Sequence, residues 1–321
     1  MTVRIKLLSF VYILMMLQSA GFPNSTWSQT YSISKLNSTR VPWVALSYGV
    51  KNFSVEVTAQ VQLESLPAAE VEAALIKSPQ GAPIAVLSPE SKRITVHKIV
   101  DPIFKKPVKT VNHVWFNPED AAALGRIRLR RGNDDFKKAY RFTEQGVFRH
   151  RREPQNQQET KKQPEKWTDV KETFYSYNLD QLGCPNVTER LVLIYIASAA
   201  EISKSRQPLS FCVFGKRQLF HVRFKPQGFH SLKVDFIEKN QQNEIRRQGE
   251  VEAIKIALEA QPLASDLEKV ENFSFLGFQE DIAIFIDPAS NLPIQLSGKI
   301  PKVGKVTIKL REVRIAISSD S

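Results

Sequence analysis

Between residues 53 and 64 apolar and polar side chains alternate without a break. Phe53, Val55, Val57, Ala59, Val61 and Leu63 take one parity, and Ser54, Glu56, Thr58, Gln60, Gln62 and Glu64 take the other. A period of two held this long predicts a β-strand with one dry face and one wet face. The period returns at Arg126 to Arg130, Tyr140 to Phe142, Leu219 to Lys225 and Val306 to Arg311. Turn-forming clusters separate these runs: Gly132-Asn133-Asp134, Gln145-Gly146, Pro226-Gln227-Gly228, Asn240 to Asn243, Asp287 to Asn291 and Lys302-Val303-Gly304. Short connections of this kind predict an antiparallel meander, with strands adjacent in sequence also adjacent in the sheet. Over 250–258 the apolar parity slips from Val251 and Ala253 to Ile254, Ile256 and Leu258, which fits either a β-bulge or a strand covered on both faces.

One segment departs from the strand pattern. Residues 186–203 predict a helix, because Asn186 stands three residues before Glu189 as in a capping box and the run Leu191 to Ile196 is almost wholly apolar. A helix apolar round most of its circumference has to be buried, and the place for it is inside the curve of the sheet. A weaker helical turn is expected at Pro118 to Leu124, capped by Asn117. Residues 153–166 hold no aliphatic or aromatic side chain and read as a polar loop within one β-rich domain, 29–321. Read as a linker, they would divide the chain into 29–152 and 167–321. The single domain is favoured because neither half has the paired layers needed to bury its strands. The expected fold is mainly β: a large curved antiparallel meander sheet, half-barrel-like, wrapped around one buried helix near 186–203.

The N-terminus changes the setting. Arg4 and Lys6 precede the apolar run Leu7 to Leu17, and a polar, small-residue segment follows, which predicts a secretory signal peptide over 1–28 with cleavage after Ala20, Gly21 or Ser28. The run is shorter than the roughly 20 residues of a spanning helix, so no transmembrane span is expected after signal removal. With two cysteines in 321 residues and 42% hydrophobic residues, the chain is neither a disulfide-stapled miniprotein nor a disordered one. Its 45 Lys+Arg against 33 Asp+Glu give a net charge of +12. For an exported chain that surplus points to lipid headgroups or other anionic envelope components, with no role for nucleic acid.

The C-terminal half resembles a bacterial family of exported proteins, the domain-of-unknown-function family numbered 3108. The features that carry the resemblance are the 186–203 segment, Leu209 to Arg217, the run Ile282 to Asp287, then Leu292-Pro293-Ile294-Gln295-Leu296 and Gly304 to Leu310. Arg126 to Trp167 resembles the family less distinctively. The resemblance implies a β-rich protein of the periplasm and supplies no catalytic residue.

Candidate chemistry is sparse. Cys184 and Cys212 could form a disulfide or remain two thiols, Cys212 as a small core residue. His97, His113, His150, His221 and His230 have no metal-ligand spacing, and His221, Arg223 and Lys225 read as a solvated basic strand face. No catalytic, cofactor or metal site is expected. The basic stretch 125–166 holds 13 Lys+Arg against six Asp+Glu. Within it Arg126, Arg128 and Arg130 share one strand face, and Arg149, Arg151 and Arg152 extend it, either as an outer face that keeps the strands soluble or as a surface for an anionic partner. Three functional readings follow. The first is a non-enzymatic periplasmic protein that binds an apolar or amphipathic ligand, such as a lipid, in the sheet concavity. The second is an assembly factor docking an envelope component or protein through the basic 125–152 surface. The third is a hydrolase whose site leaves no mark in the sequence. The sequence leaves the oligomeric state open.

Overall fold

The computed structural model describes residues 36–51, 55–86, 89–102, 107–132, 134–202, 208–263 and 271–316, all within the unit Tyr31–Ser321. The expected signal segment, 1–28, lies outside the described residues. The first meander comprises β1 (Trp43–Lys51), β2 (Val55–Pro67), β3 (Glu90–Pro102), β4 (Val108–Phe116), β5 (Ala123–Arg131), β6 (Phe136–Thr143), β7 (Gly146–Glu153) and β8 (Asp169–Ser176). The second begins with the two-residue β9 (Thr188–Glu189) and β10 (Leu209–Phe214). It continues through β11 (Leu219–Lys239), β12 (Glu244–Pro262), β13 (Glu280–Asp287), β14 (Leu292–Ile300) and β15 (Gly304–Ile315). Four short helices interrupt them: α1 (Ala68–Ala74), α2 (Gln157–Thr160), α3 (Leu179–Leu182) and α4 (Leu193–Ala199).

Strands adjacent in sequence pair within each meander, and β1 pairs with β15, so that among the described residues one sheet of fifteen strands runs from β8 at one end to β9 at the other. The sheet curls until its ends touch. Phe214 of β10 packs against Tyr140 and Phe142 of β6 and Tyr175 of β8, with ring centroids 6.4, 5.8 and 5.7 Å away. Ile237 to Lys239 of β11 also run parallel beside Glu312 to Arg314 of β15, which closes β11 through β15 into a ring. The 226–228 cluster is not a turn between strands. Pro226 pairs with Ile256 and Phe229 with Ile254, so β11 carries one extra residue there, and Gly228 takes a φ of +83°. The parity slip over 250–258 lies opposite this bulge, and there Ala253 and Ile254, on opposite faces of β12, are both buried.

The chain passes from one end of the sheet to the other through residues 177–187, and residues 191–202, after β9, fill the interior. The helix is shorter than the expected 186–203. Backbone pairing with Val213 and Phe214 of β10 draws Thr188 and Glu189 into β9, Arg190–Val192 form a 3-10 turn, and only Leu193–Ala199 are α-helical. Asn186 does not cap it: its Nδ2 donates to the Asp120 carbonyl (3.0 Å), while the Glu189 carboxylate accepts from the Leu191 N–H (2.6 Å). Every residue of α4 is buried. Seven residues are too few for a helix to stand alone, so its stability comes from packing against the sheet. Its polar atoms are matched, since Trp43 Nε1 donates to Ser198 Oγ (3.0 Å) and the Tyr195 hydroxyl to the Pro118 carbonyl (3.0 Å).

Two further expectations change. Pro118 to Leu124 is a tight turn rather than a helical one: Ala121 has φ +60°, the Asn117 N–H donates to the Ala122 carbonyl (2.9 Å), and β5 begins at Ala123. The polar loop after β7 is ordered by the buried carboxylate of Glu159, which accepts from the Gln155 and Thr168 N–H groups (3.0 and 3.1 Å) and the Thr168 hydroxyl (2.8 Å). The outer face of β4 to β6 has its own cover. Val71 of α1, Leu75 and Ile84 pack over Trp115, Leu124 and Ile127, and Glu72 of α1 holds buried Arg141 through both oxygens (3.0 and 3.1 Å).

Ile196, fully buried in α4, tests the interior packing. Ile196→Ala is expected to lower the urea unfolding free energy by about 2–5 kcal/mol. Val303→Ala at the exposed β14–β15 turn should stay within about 0.5 kcal/mol of wild type.

A basic cleft inside the sheet as candidate functional site

Residues paired across neighbouring strands share a face, so the register shows which way each arginine points. One row runs Leu63, Ile94, Val114, Arg126, Tyr140, Arg149 from β2 to β7. The next runs Val61, Val96, Asn112, Arg128, Lys138, Arg151, and the third Ala59, Lys98, Thr110, Arg130, Phe136. Leu63, Ile94, Val114, Val61 and Val96 belong to the core around α4, so this is the inner face. Each row is apolar on β2 and turns basic by β5.

The expected outer basic surface is therefore corrected. Arg126, Arg128, Arg130, Arg149 and Arg151 lie on the inner face, while Arg152, paired with Lys137, lies on the opposite one and donates to the Trp167 carbonyl (3.0 Å). The physical reason is the cover on the other side. Ile127 is claimed by the apolar layer of α1 and Leu75, which fixes β5 with its arginines turned inward.

Burial falls along β5. Arg126 is 2% exposed, and its guanidinium pairs with Glu189 at 2.5 Å and lies 3.9 Å from the Tyr140 ring centroid. Glu189 has no exposed surface and also faces Arg190 Nε at 3.6 Å. Arg128 is half-buried, and the Arg130 side chain is 29% exposed. Arg149 donates to Thr173 Oγ1 (2.8 Å) and lies over Tyr175, while Arg151 pairs with Glu153.

Below the Arg126–Glu189 pair the interior opens into a cleft of about 800 Å³ between β3, β4 and β5, the 3-10 turn before α4, the 215–217 turn and residues 271–279. Among the described residues six cations line it, Lys98, Arg128, Arg130, Arg190, Lys216 and Arg217, against the one lining carboxylate of Glu271; Arg190 also faces Glu189, and Arg130 faces Asp134 at 3.9 Å. Glu271 is engaged at the edge by Arg217 (2.6 Å) and Lys216 (3.6 Å). Arg190 donates to the Ser274 carbonyl (3.0 Å), and Lys98 to the Leu276 carbonyl (2.7 Å), where the backbone takes φ +51°. Arg128 has no carboxylate within ion-pair distance among the described residues. Its guanidinium stacks 5.2 Å from the Phe136 centroid, and its Nε is buried without a hydrogen-bond partner.

These cations oppose one another's charge. Burial, reinforced by Arg128 and Arg190, pulls the Lys98 ammonium down to about 8. Burial, with Arg190 and Arg126 beside it, brings Arg128 to about 10. Buried Lys138, 4.2 Å from the Phe136 centroid, is drawn to about 7 by burial and then by Arg151, Arg128, Arg149 and Arg126. An anion bound among them would relieve this repulsion.

Cys184 and Cys212 are bonded, with Cα atoms 5.9 Å apart, so the chain entering β9 is tied to β10 inside the aromatic cluster where the sheet ends meet. His221 is buried opposite Cys212, so the expected solvated face of His221, Arg223 and Lys225 is corrected at its first residue. Among the described residues no group of three His, Cys, Asp or Glu side chains gathers as a metal cluster, and no helix is long and apolar enough to cross a membrane. The sequence reading missed Lys98, Arg190, Lys216 and Arg217. A signal existed for Lys98, which interrupts the inward series Ile94, Val96, Val100, and for Arg190, a cation at the head of an apolar run.

Two variants test this electrostatic arrangement. Glu189→Ala leaves Arg126 and Arg190 buried without their counter-charge and is expected to cost about 3–5 kcal/mol in chemical unfolding. Lys138 is lowered from an ordinary 10.5 to about 7, so the burden of burying its charge is present in full below pH 7. It is relieved as pH rises toward 10.5, where the unfolded chain holds a proton that the folded one lacks. Lys138→Met should therefore raise the melting temperature at pH 6, and the difference should shrink steadily up to pH 10.

The chain matches no protein-family model, no curated protein and no solved structure.

Proposed function

We propose that this is a non-enzymatic binding protein of the bacterial periplasm whose cleft takes an anionic ligand in envelope maintenance. The observation that carries this reading is the charge imbalance in the cleft, six cations against a single carboxylate, with half-buried Arg128 lacking any acidic partner among the described residues. Holding like charges together in a partly dry site costs stability, and an anionic ligand is what offsets it. The inward orientation of Arg126, Arg128 and Arg130 favours a ligand that enters the cleft over a flat docking surface. The deep apolar part of the concavity is filled by α4, so the space left for a ligand is the cleft that carries these cations. Export is supported by the buried Cys184–Cys212 bond, since disulfides persist in oxidising compartments.

Isothermal titration with inorganic pyrophosphate at low ionic strength tests the reading. One saturable site is expected, weakened at least about tenfold by Arg128→Gln, as loss of a charge-assisted fork predicts. Near pH 8, anion binding should draw a proton onto Lys98, so the measured heat should differ between buffers of different ionisation enthalpy. Absence of saturable binding, or an affinity unchanged in Arg128→Gln, would reject the proposal.

A further inference from the structure

The cleft has a second stripe besides its cations. Val96 and Val100 of β3, Val108 of β4, Leu191 and Leu276 line the same space, so it has an apolar wall as well as a charged one. The strand register orders the two by depth. The row of Val114 and Arg126 is closed off beneath α4 and the Arg126–Glu189 pair. The row of Val96, Asn112 and Arg128 comes next, then the row of Lys98, Thr110 and Arg130, and last the directly paired valines Val100 and Val108. Exposure grows in the same order, from 2% at Arg126 to 29% at Arg130. Along these strands the charges of Arg126, Arg128 and Lys98 thus sit deeper than the valine pair, while Lys216 and Arg217 stand exposed at the edge of the cleft.

The charge at the deep end favours a dianion. Arg126 and Arg190 share one buried carboxylate, Glu189, while Arg128 and Lys98 have none within ion-pair distance among the described residues, and Lys98 and Arg190 donate to backbone carbonyls. Two negative charges on compact oxygens match this excess better than one, and the planar fork of arginine suits a phosphate.

We propose that the ligand is a phosphate-headed amphiphile that enters headgroup first, its phosphate meeting Arg128 and Arg190 and its chain leaving across Val100 and Val108. This inference rests on the anion-binding reading above and specifies its ligand. It predicts which part of the chain is felt. Carbons beside the valine pair contribute to affinity, about fourfold for each methylene fully buried, and carbons beyond the mouth contribute little.

The test is a series of alkyl phosphates, ethyl, butyl, octyl and dodecyl, titrated below their aggregation concentrations into the full-length exported protein. Octyl phosphate is expected to bind at least about tenfold tighter than ethyl phosphate, with little further gain for dodecyl. The pair of substitutions Val100→Asn and Val108→Asn should reduce octyl phosphate to the ethyl level and leave ethyl phosphate unchanged. Equal affinity for ethyl and octyl phosphate in the wild-type protein would overturn the amphiphile while leaving the anion site in place. Failure of every member of the series and of pyrophosphate would overturn both. A chain-length gain that survives in the folded asparagine variant would overturn the headgroup-first path. The wild-type series decides the main point whether or not that variant folds.

Discussion

The carboxylate of Glu189 is the constraint on which the interior is organised. It has no contact with solvent, and such a charge is tolerable in a protein interior only when cations and hydrogen-bond donors surround it. Three are supplied: the guanidinium of Arg126 from β5, and, from the two residues that follow Glu189, the guanidinium of Arg190 and the N–H of Leu191 in the 3-10 turn. The backbone of Glu189 is meanwhile paired with Phe214 of β10. One residue, through its side chain and its backbone, therefore joins the first meander, the second meander and the segment that plugs the curl. If the carboxylate is to be satisfied, Arg126 must point inward, and the period of two along β5 then carries Arg128 and Arg130 inward with it.

A basic inner face beside a dry core is stable because the two are separated along the strands. On β3 and β4, Ile94 and Val114 lie under the plug and are fully buried, while two and four residues further on the same face meets water in the cleft. Aromatic rings manage the boundary. Tyr140 faces Arg126 beside its Glu189 partner, and Phe136 faces both Arg128 and Lys138, so that these two cations lie against a π face where carboxylates are missing. At the other end of the curl, Phe214 gathers Tyr140, Phe142 and Tyr175 around it, and the Cys184–Cys212 bond lies in the same cluster. The place where the sheet ends meet is thus fastened by ring packing and by a covalent tie.

Much of the sheet was legible in the sequence because alternation is a local signal. The run around Val55 to Leu63 became β2, and Asp287 ended β13 for the reason its type implies, accepting from the Ala289 N–H (2.9 Å) and the Ser290 hydroxyl (2.5 Å). What parity could not supply was direction. A strand such as Arg126-Ile127-Arg128-Leu129-Arg130 has two distinct faces, and which one turns outward depends on whether Ile127 finds a cover, here α1 and Leu75, far away in sequence. The helix was misjudged for a related reason. Thr188 and Glu189 have enough local character to open a helix, yet β10 offered their backbone a partner first. The Gly228 bulge was likewise read as a turn because a glycine after a proline has the same local chemistry in both, and only the register against Ile254 and Ile256 tells them apart.

The pairing of β1 with β15 has a kinetic meaning. Trp43 lies opposite Ile315, so the middle of the sheet is sealed by the two strands furthest apart in the chain, with both meanders hanging from that seam. Contacts of such long range form late, because closing the loop between them costs entropy before any burial repays it. β15 is the last strand in chain order, so the pairing that covers this edge of β1 needs the C-terminal part of the chain. The join between the two meanders therefore rests on that final strand.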